Sequence, residues 1–268
     1  NSAASRTLTT LATQTRASNF GLQFSTGWNE TTDFQNGLFS KIWGTAPWPR
    51  AILQGPHLYM STPFYKQPNK SMKHKLDWTL VDLESLATNT QPTTQYKPKY
   101  DQATLSHLFT HWNHKPSTKY FRVAWRQMAA NTGERTLIPT IIPPGPTYVF
   151  TVHSAATNSV VDTPILAASA STLLADFVIR SSPKAHILPP AFSKIPGLNS
   201  EHELVHSIAL RSLRLNCLTD AYADLWTECW NEEFLTDTQI LERYDERPIG
   251  PEWTADTPLR RAEDRRNA

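Results

Sequence analysis

A chain of 268 residues that is 39 % hydrophobic, with nine Trp, eleven Phe and eight Tyr, is long enough to bury a real core and too apolar for a disordered segment. No run approaches the roughly 18 apolar residues of a membrane helix, and NSAASRTLTTLATQTR lacks the apolar centre of a secretory signal. A soluble cytoplasmic protein with no membrane partner is therefore expected, with a net charge of only +2 whose distribution matters more than its sum.

Taken in order, residues 1–40 are Ser-, Thr- and Asn-rich without a clear period, and WGTAPWPR at 43–50 is a turn-rich aromatic cluster. Residues 51–60 predict a strand broken at Gly55 and Pro56, 66–75 an exposed basic loop, 78–83 a strand and 89–98 a polar connector. A helix is predicted over 101–111 with Asp101 as its N-cap. Tyr120, Val123, Ala124, Met128 and Ala129 approximate helical spacing, interleaved with Arg122, Arg126 and Gln127. They predict a short helix with one basic face, ended by Asn131, Thr132 and Gly133. Residues 136–142 then read as a strand buried on both faces and stopped by Pro143, Pro144, Gly145 and Pro146, with a second strand at 148–153.

Beyond a loop at 157–162, residues 167–179 predict a helix whose apolar side is Leu173, Leu174, Phe177 and Val178. Residues 183–190 return as an extended segment. A capping-box pair, Ser200 and Glu203, opens the last large helical stretch, which carries Leu204, Ile208, Leu213, Leu218, Leu225 and Trp226 and breaks near Thr219 and Asp220. Cys217 and Cys229 in that stretch read as buried thiols, because their separation suits neither a disulfide framework nor a zinc pair. After Arg247 the tail is charged and expected to fray.

Charge is concentrated in two windows. Lys41, Arg50, Lys66, Lys70, Lys73 and Lys75 occur between residues 41 and 75 with no Asp or Glu. Lys97, Lys99, Lys115, Lys119, Arg122 and Arg126 occur between 96 and 126 against Asp101 alone, interleaved with Tyr and Trp. Between 201 and 247 acidic residues outnumber basic ones, so one half of the chain can face phosphates while the other faces solvent or protein.

The stretch FRVAWRQMAANTGERTLIPTIIPPG resembles the core signature of the target-recognition region in large adenine-specific DNA methyltransferases of the Type IIG, BREX and DISARM restriction-modification and phage-defence systems. STLLADFVIRSSPKAHILPPAFSKIPG at 171–197 and AILQGPHLYMSTPFYKQPN at 51–69, with VDLESL at 81–86, are similar to the flanking blocks of such domains. The resemblance spans roughly residues 50–230 and implies an α+β target-recognition domain, a mixed short-strand sheet bracketed by helices with a helical C-terminal part. On that reading 1–45 is a linker or the start of the domain, 46–235 the recognition domain and 236–268 a charged tail. Its partners would be double-stranded DNA and a methyltransferase domain of the same parent chain. The DNA-binding candidates are Lys66, Lys70, Lys73, Lys97, Lys99, Lys115, Lys119, Arg122, Arg126 and Arg135. Arg122 and Arg126, four apart, are candidate base readers, and Arg135 can equally reach a phosphate or pair with Glu134 to fix its turn.

Catalytic motifs are weak by comparison. With nine glycines and no Phe-x-Gly-x-Gly, the turn that holds S-adenosylmethionine is missing, so that cofactor is expected in the parent's other domain and none in this segment. Ser61-Thr62-Pro63-Phe64 departs from Asn-Pro-Pro-Tyr at its first proline and reads as a loop entering a strand. His107, His111 and His114 would share a helical face as a zinc site requires, but no Cys, Asp or Glu completes a shell, and a nucleic-acid-lining role is the stronger reading. Asp77, Asp82 and Glu84 lack a following Glu-x-Lys and read as charged strand faces. Ser154, Ser169 and Ser171 sit in no Gly-x-Ser-x-Gly elbow. Two alternatives stand beside the recognition module: a protein-interaction module of a defence complex, or a nuclease or methyltransferase with unrecognised motifs.

Overall fold

A computed structural model describes residues 14–130, 132–182, 185–237 and 249–268. Expectations that fall on residues 1–13, on Asn131 as part of a helix end, on Pro183 and on the acidic stretch 238–247 lie outside the described residues.

In chain order the strands are β1 (Gln23–Thr26), β2 (Phe39–Thr45), β3 (Ile52–Leu53), β4 (Lys66–Pro68), β5 (Trp78–Leu80), β6 (Thr93–Pro98), β7 (His111–Trp112), β8 (Lys115–Pro116), β9 (Arg122–Arg126), β10 (Pro139–Ile142), β11 (Thr147–Tyr148) and β12 (Val152–Ala156). Among the described residues the α-helices longer than four residues are α1 (Gln102–Leu108), α2 (Asp162–Ser171), α3 (Leu173–Arg180), α4 (Val205–Asn216), α5 (Ala223–Cys229) and α6 (Ala262–Asn267). Strands fill the first part of the chain and helices the second, the segregation of an α+β domain. The described residues before 46 are built into it, since β1 and β2 both pair.

The centre is a four-stranded antiparallel sheet in the order β1-β12-β9-β10. Here the helix predicted over 120–129 is corrected: residues 122–126 form β9, second in from the β10 edge. Val123, Ala124 and Trp125 are fully enclosed, Trp125 stacking on Phe192 at 4.0 Å and donating its Nε1–H to the Ile187 carbonyl. A strand covered on both faces has no polar side, so its apolar residues run together and mimic helical spacing. Pro139–Ile142 is the expected doubly buried strand, and 136–138 lead into it. The strand expected at 148–153 is split between β11 and β12 by a turn.

Edge strand β10 is closed by side chains. Asn216, at the end of α4, accepts from the Ile141 N–H and the Thr140 hydroxyl and donates to the Ser212 carbonyl, while the Tyr222 hydroxyl donates to the Ile141 carbonyl. These groups satisfy a buried edge that would otherwise have orphaned donors and acceptors. Helix α2 packs on β9, β10 and α4, covering that side of the sheet.

Other expectations hold or shift for physical reasons. Gly55 and Pro56 do interrupt the 51–60 strand, leaving β3 and a 3-10 turn. Asp101 caps α1 by accepting from the Thr104 N–H. Of the connector expected at 89–98, residues 89–92 are one, while 93–98 are strand β6, which pairs with β2 and buries Thr93 to Tyr96, so its polar residues hid its packing. The helix expected at 167–179 is two helices bent by 62° where Thr172 caps α3. The side of α3 that packs is Ala175, Asp176 and Ile179; Leu173 and Phe177 face outward. Ser200 and Glu203 form no capping box, α4 starting at Val205 after Leu204, while the break before Asp220 is present. Cys217 and Cys229 are buried thiols. The tail is not frayed across 249–268: Leu259 is enclosed and the Trp253 Nε1–H donates to the Cys217 carbonyl. Among the described residues no single helix is long and apolar enough to cross a membrane.

Candidate nucleic-acid interface

The two basic windows meet at Trp43. Strand β2 shifts register against β6 between Lys41 and Gly44, so Ile42 and Trp43 lie in a bulge. A bulge re-aims side chains, and both residues are exposed while the Trp43 indole N–H donates to the Pro68 carbonyl of β4 at 2.7 Å. Trp43 thereby separates two concavities. One, about 530 Å³, also touches Asn69, Lys70, Thr79 and Leu80. The other, about 290 Å³, also touches Ile42, Arg50, Tyr96 and Lys97.

The loop between β4 and β5, residues 69–77, is held in shape from within. The Asp77 carboxylate accepts from the Asn69 side-chain amide, the Ser71 hydroxyl and the Lys73 backbone N–H. Those bonds, Asn69 first, hold its carboxyl below the usual range. Asp77 is thus a loop fastener, and Asp82 accepts from the Glu84 backbone N–H, so the reading of these acids as strand faces is corrected to turn-forming groups. The fastened loop displays Lys70, Lys73, His74, Lys75 and Leu76, all exposed.

Lys97 projects from β6, with exposed Lys99 immediately after it. Lys66 is half-buried, its Nζ 5.1 Å from the Tyr65 ring centroid. Arg50, which drew no separate attention in the sequence, braces this face by donating to the Pro98 carbonyl at 3.0 Å and to the Tyr100 carbonyl. Lys115 and Lys119 are exposed but sit elsewhere, on and just after the β7–β8 hairpin, which Trp112 ties to the Phe24 carbonyl of β1. That hairpin turns at Asn113 and His114, both in the left-handed region, so His107, His111 and His114 do not share a helical face: α1 ends at Leu108.

The two arginines expected to read bases point inward. Arg122 is 0 % exposed; its guanidinium donates to the Pro146 and Tyr120 carbonyls and lies 5.7 Å from the Tyr148 ring. Arg126 is half-buried, donating to the Gly55 and Leu58 carbonyls, near the stacked rings of Tyr59 and Tyr65. The expected role is corrected for Arg122, which cannot contact a base edge without opening the sheet. In place of carboxylates, backbone carbonyls receive both charges. Burial pushes the pKa of each down.

Arg135 does not fix its own turn. Asp176 accepts from the Thr136 and Leu137 N–H groups, and Arg180 donates to the Gly133 and Glu134 carbonyls. Asp176 and Arg180 also pair with each other, four apart on α3, and nothing local in the sequence marks their contacts to the distant turn.

Ser61-Thr62-Pro63-Phe64 cannot serve as a base-stacking methyltransferase motif in this fold. Phe64 is enclosed against Trp48 at 5.3 Å, and Thr62 Oγ1 donates to the Met60 carbonyl while accepting from Arg265. The residues here therefore do not fit the amino-group chemistry of an S-adenosylmethionine-dependent enzyme. What the Trp43 face can do is bind: cationic side chains on a braced sheet and a fastened loop, around an exposed aromatic ring, suit phosphates and bases. Among known proteins, no family model matches this chain and no curated protein matches it.

Proposed function

We propose that the chain is the DNA-recognition module of an adenine-specific methyltransferase of the restriction-modification or phage-defence kind. It binds duplex DNA and positions the target adenine for a methyltransferase domain elsewhere in the same parent. The observation that carries the reading is the convergence of Lys70 and Lys97, from separate windows, on the two sides of exposed Trp43. Lys41, Lys73, Lys75 and Lys99 extend the charge from the same strands and loop. The lysines neutralise phosphates and set register; the loop 69–77 is the segment shaped to enter a groove. The chemistry of methyl transfer, and S-adenosylmethionine, belong to the other domain.

The test is made in the parent. Deleting residues 69–77 should abolish methylation at the natural site while the parent still binds S-adenosylmethionine. Methylation of the same site at undiminished rate would overturn the reading. The chain alone should transfer no labelled methyl group to DNA.

A second reading rests on α3, where Leu173 and Phe177 are 74 % and 61 % exposed. A protein-interaction module would use that face, and its binding would be indifferent to DNA.

A further inference from the structure

Away from the Trp43 face, a cavity of about 560 Å³ is lined by Tyr59, Ser61, Glu134, Arg135, Ser171, Arg265 and Arg266, among others. Its three arginines are unequal. Arg265 is engaged, donating to the carbonyls of Leu215, Leu259 and Ser61 and to Thr62 Oγ1. Arg135 and Arg266 make no side-chain hydrogen bond or ion pair among the described residues, and Arg135 Nη1 is shut away from water without an acceptor. The cavity that Arg135 and Arg266 line is large enough for a small ligand.

The cavity's lining combines cationic and aromatic side chains. Its lining has three arginines and one acidic side chain, Glu134, which lies close enough to Tyr59 to add to burial in raising the phenol's pKa, together with the last residue of the sequence, Ala268. Among the described residues no acidic partner offsets Arg265, whose pKa burial lowers to about 10. The Tyr59 ring is backed by Tyr65 in a stack at 4.5 Å and 23°, with the Arg126 guanidinium 5.8 Å from the Tyr59 centroid. A ring braced in this way offers a fixed surface for another flat ring. A forked guanidinium pair suits phosphate oxygens, and a braced tyrosine suits a base. A lone anion would leave the tyrosine unused.

We infer that this cavity is a site for a nucleoside monophosphate, its phosphate held by Arg135 and Arg266 and its base laid against Tyr59. The ligand is either a free nucleotide or a nucleotide swung out of a nucleic-acid strand. The site does not depend on the duplex-binding reading, because no lysine of the Trp43 face lines it.

Calorimetric titration of the 268-residue chain with adenosine 5′-monophosphate, inorganic phosphate and adenosine tests it. The monophosphate should bind more tightly than either part. Arg135→Gln and Arg266→Gln should each weaken it by about tenfold, the loss of one charge-assisted contact, with melting temperatures no lower than wild type, because neither side chain has a partner among the described residues. Tyr59→Leu should bring the monophosphate down to the level of phosphate. No binding of the monophosphate to the wild-type chain, or equal binding by the Arg135→Gln/Arg266→Gln variant, would overturn the site. A duplex carrying one unpaired adenosine then separates the sources. Displacement of the monophosphate assigns the pocket to an extrahelical nucleotide, and failure to displace it assigns the pocket to a free one.

Discussion

Arg122 is the residue on which the proline-rich turn depends, because its guanidinium is the buried donor for the Pro146 carbonyl at 2.8 Å. Arg122→Ala removes that donor and leaves a void in the middle of the fold, a loss of about 3–5 kcal/mol. Its melting temperature should fall sharply while any folded fraction keeps the wild-type affinity for DNA. Weakened DNA binding at unchanged stability would instead restore a direct role for this arginine. In the same turn Gly145 has φ +114, and a Cβ there would stand 2.9 Å from Pro49 N and Trp48 C. Gly145→Ala should therefore cost about 3 kcal/mol from backbone strain and overlap together, measurable as a lower denaturant midpoint.

His57 gives the residue scale a pH signature. It is enclosed, its Nδ1 accepting from the Gln54 N–H, and burial lowers its pKa from the usual value of 6.5 to about 4. Below pH 6.5 the unfolded chain takes up a proton that the folded chain refuses, so stability is full above 6.5 and is lost as pH falls toward 4. His153 adds to the loss in the same window. Urea midpoints between pH 7 and pH 4.5 should fall more steeply for the wild type than for His57→Gln, and parallel profiles would remove His57 from the account.

Among elements, the loop 69–77 shows why charge alone is an incomplete guide. Asp77→Ala removes a negative charge from a lysine-rich loop, which by Coulomb's law favours DNA. It also removes the acceptor shared by Asn69, Ser71 and Lys73. If a fastened loop is what binds, the variant should bind duplex DNA more weakly than wild type, since the freed loop must be ordered on binding. Fluorescence anisotropy decides, and tighter binding would mean that the loop acts only as a charged tether.

Elements were legible in the sequence where a local rule had no rival. Asp101 as a cap, Gly55-Pro56 as a break and a buried strand within 136–142 are of this kind. They were illegible where tertiary contacts set the outcome. Val123, Ala124 and Trp125 have helical spacing because β9 is covered on both sides, and Thr93 to Tyr96 look like a connector until β2 pairs with them. The outward turn of Leu173 and Phe177 follows from Asp176 being drawn inward by two backbone N–H groups across forty residues. Of the candidate site, the lysines were visible as two basic windows, one without any acid and one with Asp101 alone. Their junction at Trp43 depends on a β-bulge that leaves no sequence mark, and Arg265 enters its cavity from a tail that composition assigned to solvent.

At the scale of the molecule, rigidity and charge are kept apart. Buried arginines donate to carbonyls inside the sheet and its turns, whereas the lysines lie on the loop, strand and hairpin outside it. Such an arrangement predicts that phosphate contacts can be removed without unfolding the domain. The most direct measurement is the salt dependence of duplex binding by the wild-type chain and by the Lys70→Ala/Lys73→Ala/Lys97→Ala/Lys99→Ala variant. Each phosphate contact contributes about 0.9 to the slope of log K against log salt. The account predicts a steep wild-type slope that drops by roughly 3 to 4 in the variant, with the melting temperature retained. A wild-type affinity indifferent to salt, or a slope unchanged by loss of the four lysines, would contradict it.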